Sequence, residues 1–306
     1  MHLSISQWNP AFTDNADGPT HSGSAVVEAD VEMSAHRWRA CDAAPGGPRS
    51  VALVDGVQRF DAHVELTDED DNRFAGLCAS WAAGAVICDI DAASAHLSVA
   101  EVDRALFTGA AQGPQTPYYP LHSVPESELD DLAGAVQKSR DQLERAVSNE
   151  VAGRCELLVM DGSLRGRTAL DDAVGYIKSH QRSYLGPELS RVVTHLRAGQ
   201  RTPVFHLTTT WPRYCWYLRL PGSQSEGWAG IARLEAAAEL TSEHAVALAD
   251  RTTQALPRMA ASLHKDARAP QNLTPIAGLE RQLKRKLGDS RLLLRSLRQA
   301  AASATG

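Results

Sequence analysis

The 306-residue chain is poor in lysine, with 5 Lys against 26 Arg, and it has no internal repeat and no low-complexity tract. It also lacks a long apolar run: residues 74–88 are the longest uncharged apolar stretch, too short and too rich in small residues to span a bilayer. No basic region followed by an apolar stretch opens the sequence, which predicts a protein without a secretory leader, cytoplasmic and independent of membranes. The five cysteines (Cys41, Cys78, Cys88, Cys155 and Cys215) have no close metal-ligand spacing, so they read as reduced thiols and not as a zinc site. Neither a Walker A sequence nor Gly-x-Gly-x-x-Gly is present, which argues against binding of ATP or a dinucleotide by this chain. Residues 223–227 miss the Gly-x-Ser-x-Gly nucleophile elbow, because Ser223 occupies the first glycine position.

What is present is an uneven charge. The formal net charge of -6 divides into 9 Lys+Arg against 24 Asp+Glu in residues 1–150, and 22 against 13 in residues 151–306. A balance of -15 followed by one of +9 points to an anionic partner for the second half. At 43% hydrophobic and 22% charged, the composition is that of a globular protein with a sizeable core.

The pattern along the chain is α/β. Polar residues 1–48 carry loop signals, with a candidate edge strand over 24–35. Ser50–Val54 is an apolar β run ending in Asp55-Gly56, and Phe60–Leu66 alternates with the period of a half-buried strand. Arg73–Ile90 supplies one or two more strands, so the region reads as an antiparallel meander. Residues 105–125 read as a loop from their Pro and Gly content. A helix is expected over 127–152, followed by a strand over Glu156–Met160 that again ends in Asp-Gly, at Asp161-Gly162. Further strands are expected at Ala173–Lys178, Pro203–Thr208, Tyr214–Leu220 and Trp228–Glu235. Helices are expected at Pro187–Arg197, Ser242–His264 and Pro275–Ala302, with Pro257 kinking or splitting the second.

Asp-Gly is the commonest short hairpin turn, which is the plain reading of either instance alone. Two instances at the ends of core strands carry more. Side by side, such strands place Asp55 and Asp161 a few ångströms apart, and close carboxylates repel unless a cation lies between them. Oxygen donors of this kind suit Mg²⁺ or Mn²⁺, which activate water for phosphodiester cleavage. Glu144, beside the core residue Leu143 on the intervening helix, is the candidate third carboxylate, against the alternative of a solvated helix face.

The segment Leu158-Val159-Met160-Asp161-Gly162-Ser163-Leu164, with the earlier strand-Asp55-Gly56 and the helix bearing Glu144, resembles the NurA nuclease family. Val174-Gly175-Tyr176-Ile177-Lys178 is similar to that family's Gly-x-x-Lys strand, and Ile231-Ala232-Arg233-Leu234-Glu235 to its Arg-x-Glu strand. Leu263-His264-Lys265-Asp266-Ala267 resembles its C-terminal histidine helix. The resemblance covers roughly residues 50–290. It implies an RNase H-like fold: a mixed sheet, antiparallel meander plus parallel strands, flanked by helices, with a helical C-terminal region. Residues 1–48 would form a polar or dimerisation segment and 49–306 the nuclease domain. It also implies a Mn²⁺- or Mg²⁺-dependent nuclease on DNA ends and single strands, a homodimer, and a hexameric HerA-type ATPase as partner, in end processing or anti-phage defence. Carried over, Asp55, Glu144, Asp161 and His264 become metal ligands and catalytic groups, and Lys178, Arg165 and Arg233 contact DNA. Two positions depart from the family: Val57 replaces a usual Ser, and Leu256-Pro257 stands where a Tyr is frequent. These departures favour the alternative of a catalytically inactive DNA-binding or docking adaptor.

Residues 275–302 form an amphipathic basic stretch, either a packed helix with a solvated face or a surface for DNA or a partner. The run Trp211-Pro212-Arg213-Tyr214-Cys215-Trp216-Tyr217 suits core or dimer packing, or base stacking in a single-strand channel.

Overall fold

A computed structural model describes residues 2–5, 25–114, 116–125, 128–167, 169–178, 183–222, 227–262 and 269–303. Its central strands are β1 (Ser50–Thr67), β2 (Arg73–Asp89), β3 (Ser94–Thr108), β4 (Leu157–Asp161) and β5 (Ala173–Ile177). They continue into β6 (Phe205–Thr208), β7 (Pro212–Arg219) and β8 (Ile231–Ala237). The helices are α1 (Leu129–Val151), α2 (Pro187–Thr194), α3 (Ser242–Ala255), α4 (Thr274–Lys286) and α5 (Ser290–Ser303). Among the described residues the strands join in one sheet, in the order β6-β7-β8-β5-β4-β1-β2-β3. Short strands Val26–Glu28 and Leu121–Ser123 close its two edges.

The meander and the parallel core are both present. β1, β2 and β3 pair antiparallel, while β4 runs parallel to both β1 and β5. β8 returns antiparallel on β5. This is the RNase H-like mixed sheet, with helices on both faces.

Three local expectations change. The residues around Asp55-Gly56 do not turn: β1 is one 18-residue strand through them, and Asp55 pairs with Gly84 of β2 in mid-strand. The irregularity in β1 comes later, inside the second sequence run: a bulge between Phe60 and Ala62 leaves Asp61 unpaired in the ladder. The third meander strand is β3, which takes in residues 105–108 of the expected loop. Residues 275–302 form two helices, because Gly288 takes φ +81° in the left-handed region and ends α4. As expected at Pro257, α3 stops at Ala255 and a 3₁₀ turn follows over Leu256–Met259.

Alternation along β1 decides what meets what. Val51, Leu53 and Val57 face one core with Ile276, Leu279 and Leu283 of α4 and Leu248 of α3. Ala52 and Val54 face the other, with Val147 and Val151 of α1. Ile276, Leu279, Leu283 and Leu287 are fully buried. At about 1.5–3 kcal/mol each, their burial fixes α4 on the sheet. Gly84 permits the approach, since a Cβ there would lie 2.8 Å from the Val99 carbonyl oxygen and 3.0 Å from Leu283 Cδ2.

Candidate active site

The parallel register pairs Val54 with Met160, so Asp55 and Asp161 follow one residue further along neighbouring strands. Both stand on the α4 face by alternation. Glu280, on α4 beside the buried Leu279, joins them: one carboxylate oxygen from each of Asp55, Asp161 and Glu280 lies within 4.8 Å of the others. Asp55 is buried, and its Oδ1 accepts the Gly56 N–H at 2.8 Å.

Burial raises the Asp55 pKa well above the usual carboxylate value, and the Asp161 charge adds to it. Lys178 acts in the opposite sense. Its ammonium donates to Asp161 Oδ2 at 2.5 Å and to Asn272 Oδ1 at 3.0 Å. Tyr176, two residues earlier in β5, donates to the Gln271 carbonyl at 2.6 Å and ties the same segment to the sheet. A hard, all-oxygen donor set with a buried member held off its normal ionisation fits a divalent cation of the Mg²⁺ or Mn²⁺ type.

The turn that follows Asp161 is fixed from below. Gly162 has φ +114°, a conformation that favours glycine, and its N–H donates to Tyr176 O at 3.0 Å. Gly175 lies under this turn; a Cβ there would sit 2.8 Å from both Gly162 O and Leu164 N. Glu235 of β8 completes the support. Its Oε2 accepts Ser163 Oγ at 3.1 Å and Leu164 N at 3.4 Å. Its Oε1 accepts Arg213 Nε at 2.8 Å and Arg233 Nη2 at 3.1 Å. The sequence resemblance therefore holds a physical unit: Asp-Gly-Ser-Leu, Gly-x-x-Lys and Arg-x-Glu are three touching pieces.

Glu144 approaches from the other sheet face. It lies on α1 against Gly56, whose missing side chain makes room; a Cβ at 56 would overlap Glu144 Oε1 and lie 2.9 Å from Cγ. Arg167 Nη2 contacts its Oε2 at 2.5 Å, and Arg140 Nε lies 3.2 Å from Oε1. Burial raises the Glu144 pKa, and the two guanidiniums oppose that shift. Thus Asp55, Asp161 and Lys178 are brought together, while Glu144 neighbours them across Gly56 in an arginine clamp. Arg233 is buried with Glu235, its guanidinium 5.1 Å over the Tyr184 ring. Arg165 is exposed on the turn after Ser163. His264 lies outside the described residues. In the Trp211–Tyr217 run, Trp216 and Tyr217 are buried in the core.

Glu280 was not singled out by sequence pattern, because seven basic residues surround it in 274–303 and it sits 119 positions after Asp161. The available cue was the one that raised Glu144: an acid beside a core leucine, at the edge of the buried stripe.

A mixed sheet of this order, with helices on both faces and Asp55 and Asp161 on its neighbouring parallel strands, defines the class as an RNase H-like fold. The NurA nuclease from Sulfolobus solfataricus is similar, with TM-score 0.50 and 9% identity over 87% of this chain and 86% of that one. The catalytic domain of human endonuclease V has TM-score 0.32 at 16% identity, over 78% of this chain and 84% of that one. Endonuclease V from Bacillus subtilis has TM-score 0.32 at 13% identity, over 78% and 81%. At 9% identity the likeness to the NurA nuclease shows the fold alone. No protein-family model and no curated protein matches the sequence. Among the described residues, no helix is long and apolar enough to cross a membrane.

Proposed function

We propose that the chain is a metal-dependent DNA nuclease. The observation that carries this reading is the convergence of Asp55, Asp161 and Glu280 oxygens within 4.8 Å on a nuclease-type fold. Asp55 and Asp161 hold Mn²⁺ or Mg²⁺ with Glu280. Glu144 is the site's fourth carboxylate, behind Gly56, and His264 is the late ligand or proton-transfer group that the family resemblance assigns.

A bound divalent cation lowers the pKa of a coordinated water and offsets charge on the leaving oxygen. The chain's own groups prepare for this. Lys178 neutralises part of the Asp161 charge and favours ionisation of Asp55. An ammonium has three donors, so among the described residues its bonds to Asp161 and Asn272 leave one for a phosphate oxygen. Arg165, exposed beside the turn, is a further candidate for DNA contact, while Arg233, which the family resemblance also assigns to DNA, is buried on Glu235 and acts through the turn that Glu235 supports. Work as a homodimer with a hexameric HerA-type ATPase, with residues 1–48 serving the dimer, is the assembly favoured by the NurA-like fold and the sequence resemblance.

Degradation of linear DNA with Mn²⁺ tests the reading. Asp55→Asn and Asp161→Asn are each expected to abolish cleavage, and full activity in both overturns the assignment. The second reading, an inactive DNA-binding adaptor, is favoured by Val57, a core residue where the family usually has Ser. It expects binding without cleavage in the unmutated chain under any divalent metal.

A further inference from the structure

The outer face of α4 and α5 carries charge that folding does not use. Residues 274–303 hold seven Arg and Lys against two acids. All seven are exposed: Arg281, Lys284, Arg285, Lys286, Arg291, Arg295 and Arg298. Neither acid offsets them broadly. Glu280 belongs to the carboxylate cluster, with Lys284 Nζ 3.8 Å away, and Asp289 Oδ1 caps α5 by accepting the Arg291 and Leu292 N–H groups.

Helix stability does not account for the charge. Cations in a last turn ordinarily complement terminal carbonyls, yet here the sheet supplies the donors. Arg59 donates to the carbonyls of Gly288 at 2.9 Å and Leu287 at 3.2 Å, and Arg104 donates to Leu287 O at 2.9 Å. In α5, Arg291 sits in the first turn, where a cation opposes the helix dipole. Arg281 and Arg285, like Arg291 and Arg295, are i,i+4 pairs of like charge, an arrangement that weakens a helix.

Geometry gives the charge a direction. Arg291, Arg295 and Arg298 lie at i, i+4 and i+7, one stripe opposite the buried Leu293 and Leu297. The stripe runs about 10 Å, the axial length over which one strand of a B-form duplex advances about three phosphates at roughly 3.4 Å each. α4 starts it at the site through Glu280, and α5 extends it over the far end of the β1–β3 ribbon, where Leu293 and Leu297 pack with Ala62, Val64 and Leu106.

We propose that the outer face of α4 and α5 is a track for the sugar–phosphate backbone of nucleic acid, leading the strand between the carboxylate cluster and the far end of the ribbon. It rests on the nuclease reading for what happens at the cluster, but its test does not require cleavage. Binding of a labelled single-stranded oligonucleotide is measured by fluorescence anisotropy in EDTA across a salt series. The triple variant R291Q/R295Q/R298Q is expected to bind about tenfold weaker, with a log–log salt slope shallower by about 2, from about 0.7 per lost phosphate contact. The matching triple lysine variant, which keeps the charge, is expected to retain wild-type affinity and slope. Unchanged affinity and slope in the glutamine variant overturn the proposal, as does equal weakening in the lysine variant. Loss of binding to polyglutamate or phosphatidylserine vesicles with oligonucleotide binding intact also overturns it.

Discussion

The Lys178 ammonium and the Asp161 carboxylate are 2.5 Å apart across the ends of adjacent parallel strands. That contact joins the two ends of the site's signature, since Asp161 precedes the Gly-Ser-Leu turn and Lys178 ends the Gly-x-x-Lys strand. The lysine also lowers the pKa of the neighbouring Asp55, against burial and the Asp161 charge. In Lys178→Met, Asp55 holds its proton to higher pH, because the ammonium that opposes its raised pKa is gone. The acidic limb of the pH–rate profile is expected to move upward, with a larger loss of cleavage at mildly acidic than at alkaline pH.

Asp55 is placed for function at the expense of folding. Its raised native pKa means that the native state keeps a proton which the unfolded chain has already released. Stability therefore falls as pH rises from the ordinary carboxylate range through the raised native value. Asp55→Asn is expected to raise the melting temperature at neutral pH, and the gain is expected to shrink as pH falls towards the unfolded value. Thermal melts at a series of pH values, without divalent metal, check this.

The clamp on Glu144 makes a different pH dependence. The Arg167 and Glu144 side chains are both buried and in contact at 2.5 Å, so removing Arg167 leaves the buried carboxylate with Arg140 as its remaining cation. Arg167→Met is expected to destabilise the fold by roughly 1–3 kcal/mol at neutral pH, because Arg140 still partners Glu144. Arg167 lowers the Glu144 pKa, so its loss raises the native value further. The destabilisation then develops as pH rises above the ordinary carboxylate range and fades below it, as read by urea unfolding at several pH values.

Two glycines give opposite results. Gly175→Ala drives a Cβ into the backbone of Gly162 and Leu164, which cannot yield as a side-chain tip would. The expected cost is roughly 1–3 kcal/mol, together with loss of cleavage as the Asp161 turn shifts. Gly134, exposed in α1, has nothing within 4 Å of an added Cβ. Gly134→Ala is expected to stabilise by about 0.5–1 kcal/mol with cleavage unchanged. Urea unfolding and the DNA assay on both variants check the pair.

Glu235→Gln probes the support under the active-site turn. The substitution keeps the shape but removes the buried charge that Arg213 and Arg233 share. Expected is a loss of about 3–5 kcal/mol in urea unfolding, with weaker cleavage because Ser163 and Leu164 lose their anchor.

Strand and helix placement was legible where periodicity is strong, as in α1, β4 and β5. Asp55 and Asp161 were legible as neighbours because each ends an apolar run that must be buried in the sheet. The Asp55-Gly56 turn was misread since Asp-Gly marks turns in general. Here the glycine serves the approach of Glu144 across the sheet, a contact between residues 88 positions apart that no local pattern carries. β3 was missed because Ser94–Arg104 mixes charged and small residues, and its pairing with β2 outweighs that composition. Glu280 was hidden in a basic helix, and only the packing of α4 over Gly84 brings it to the aspartates.

Anomalous diffraction from crystals soaked in Mn²⁺ tests the central claim most directly. The account predicts a manganese peak within coordination distance of Asp55, Asp161 and Glu280, lost in Asp161→Asn crystals. A chain that takes up no manganese there, or holds it only away from these three carboxylates, contradicts it.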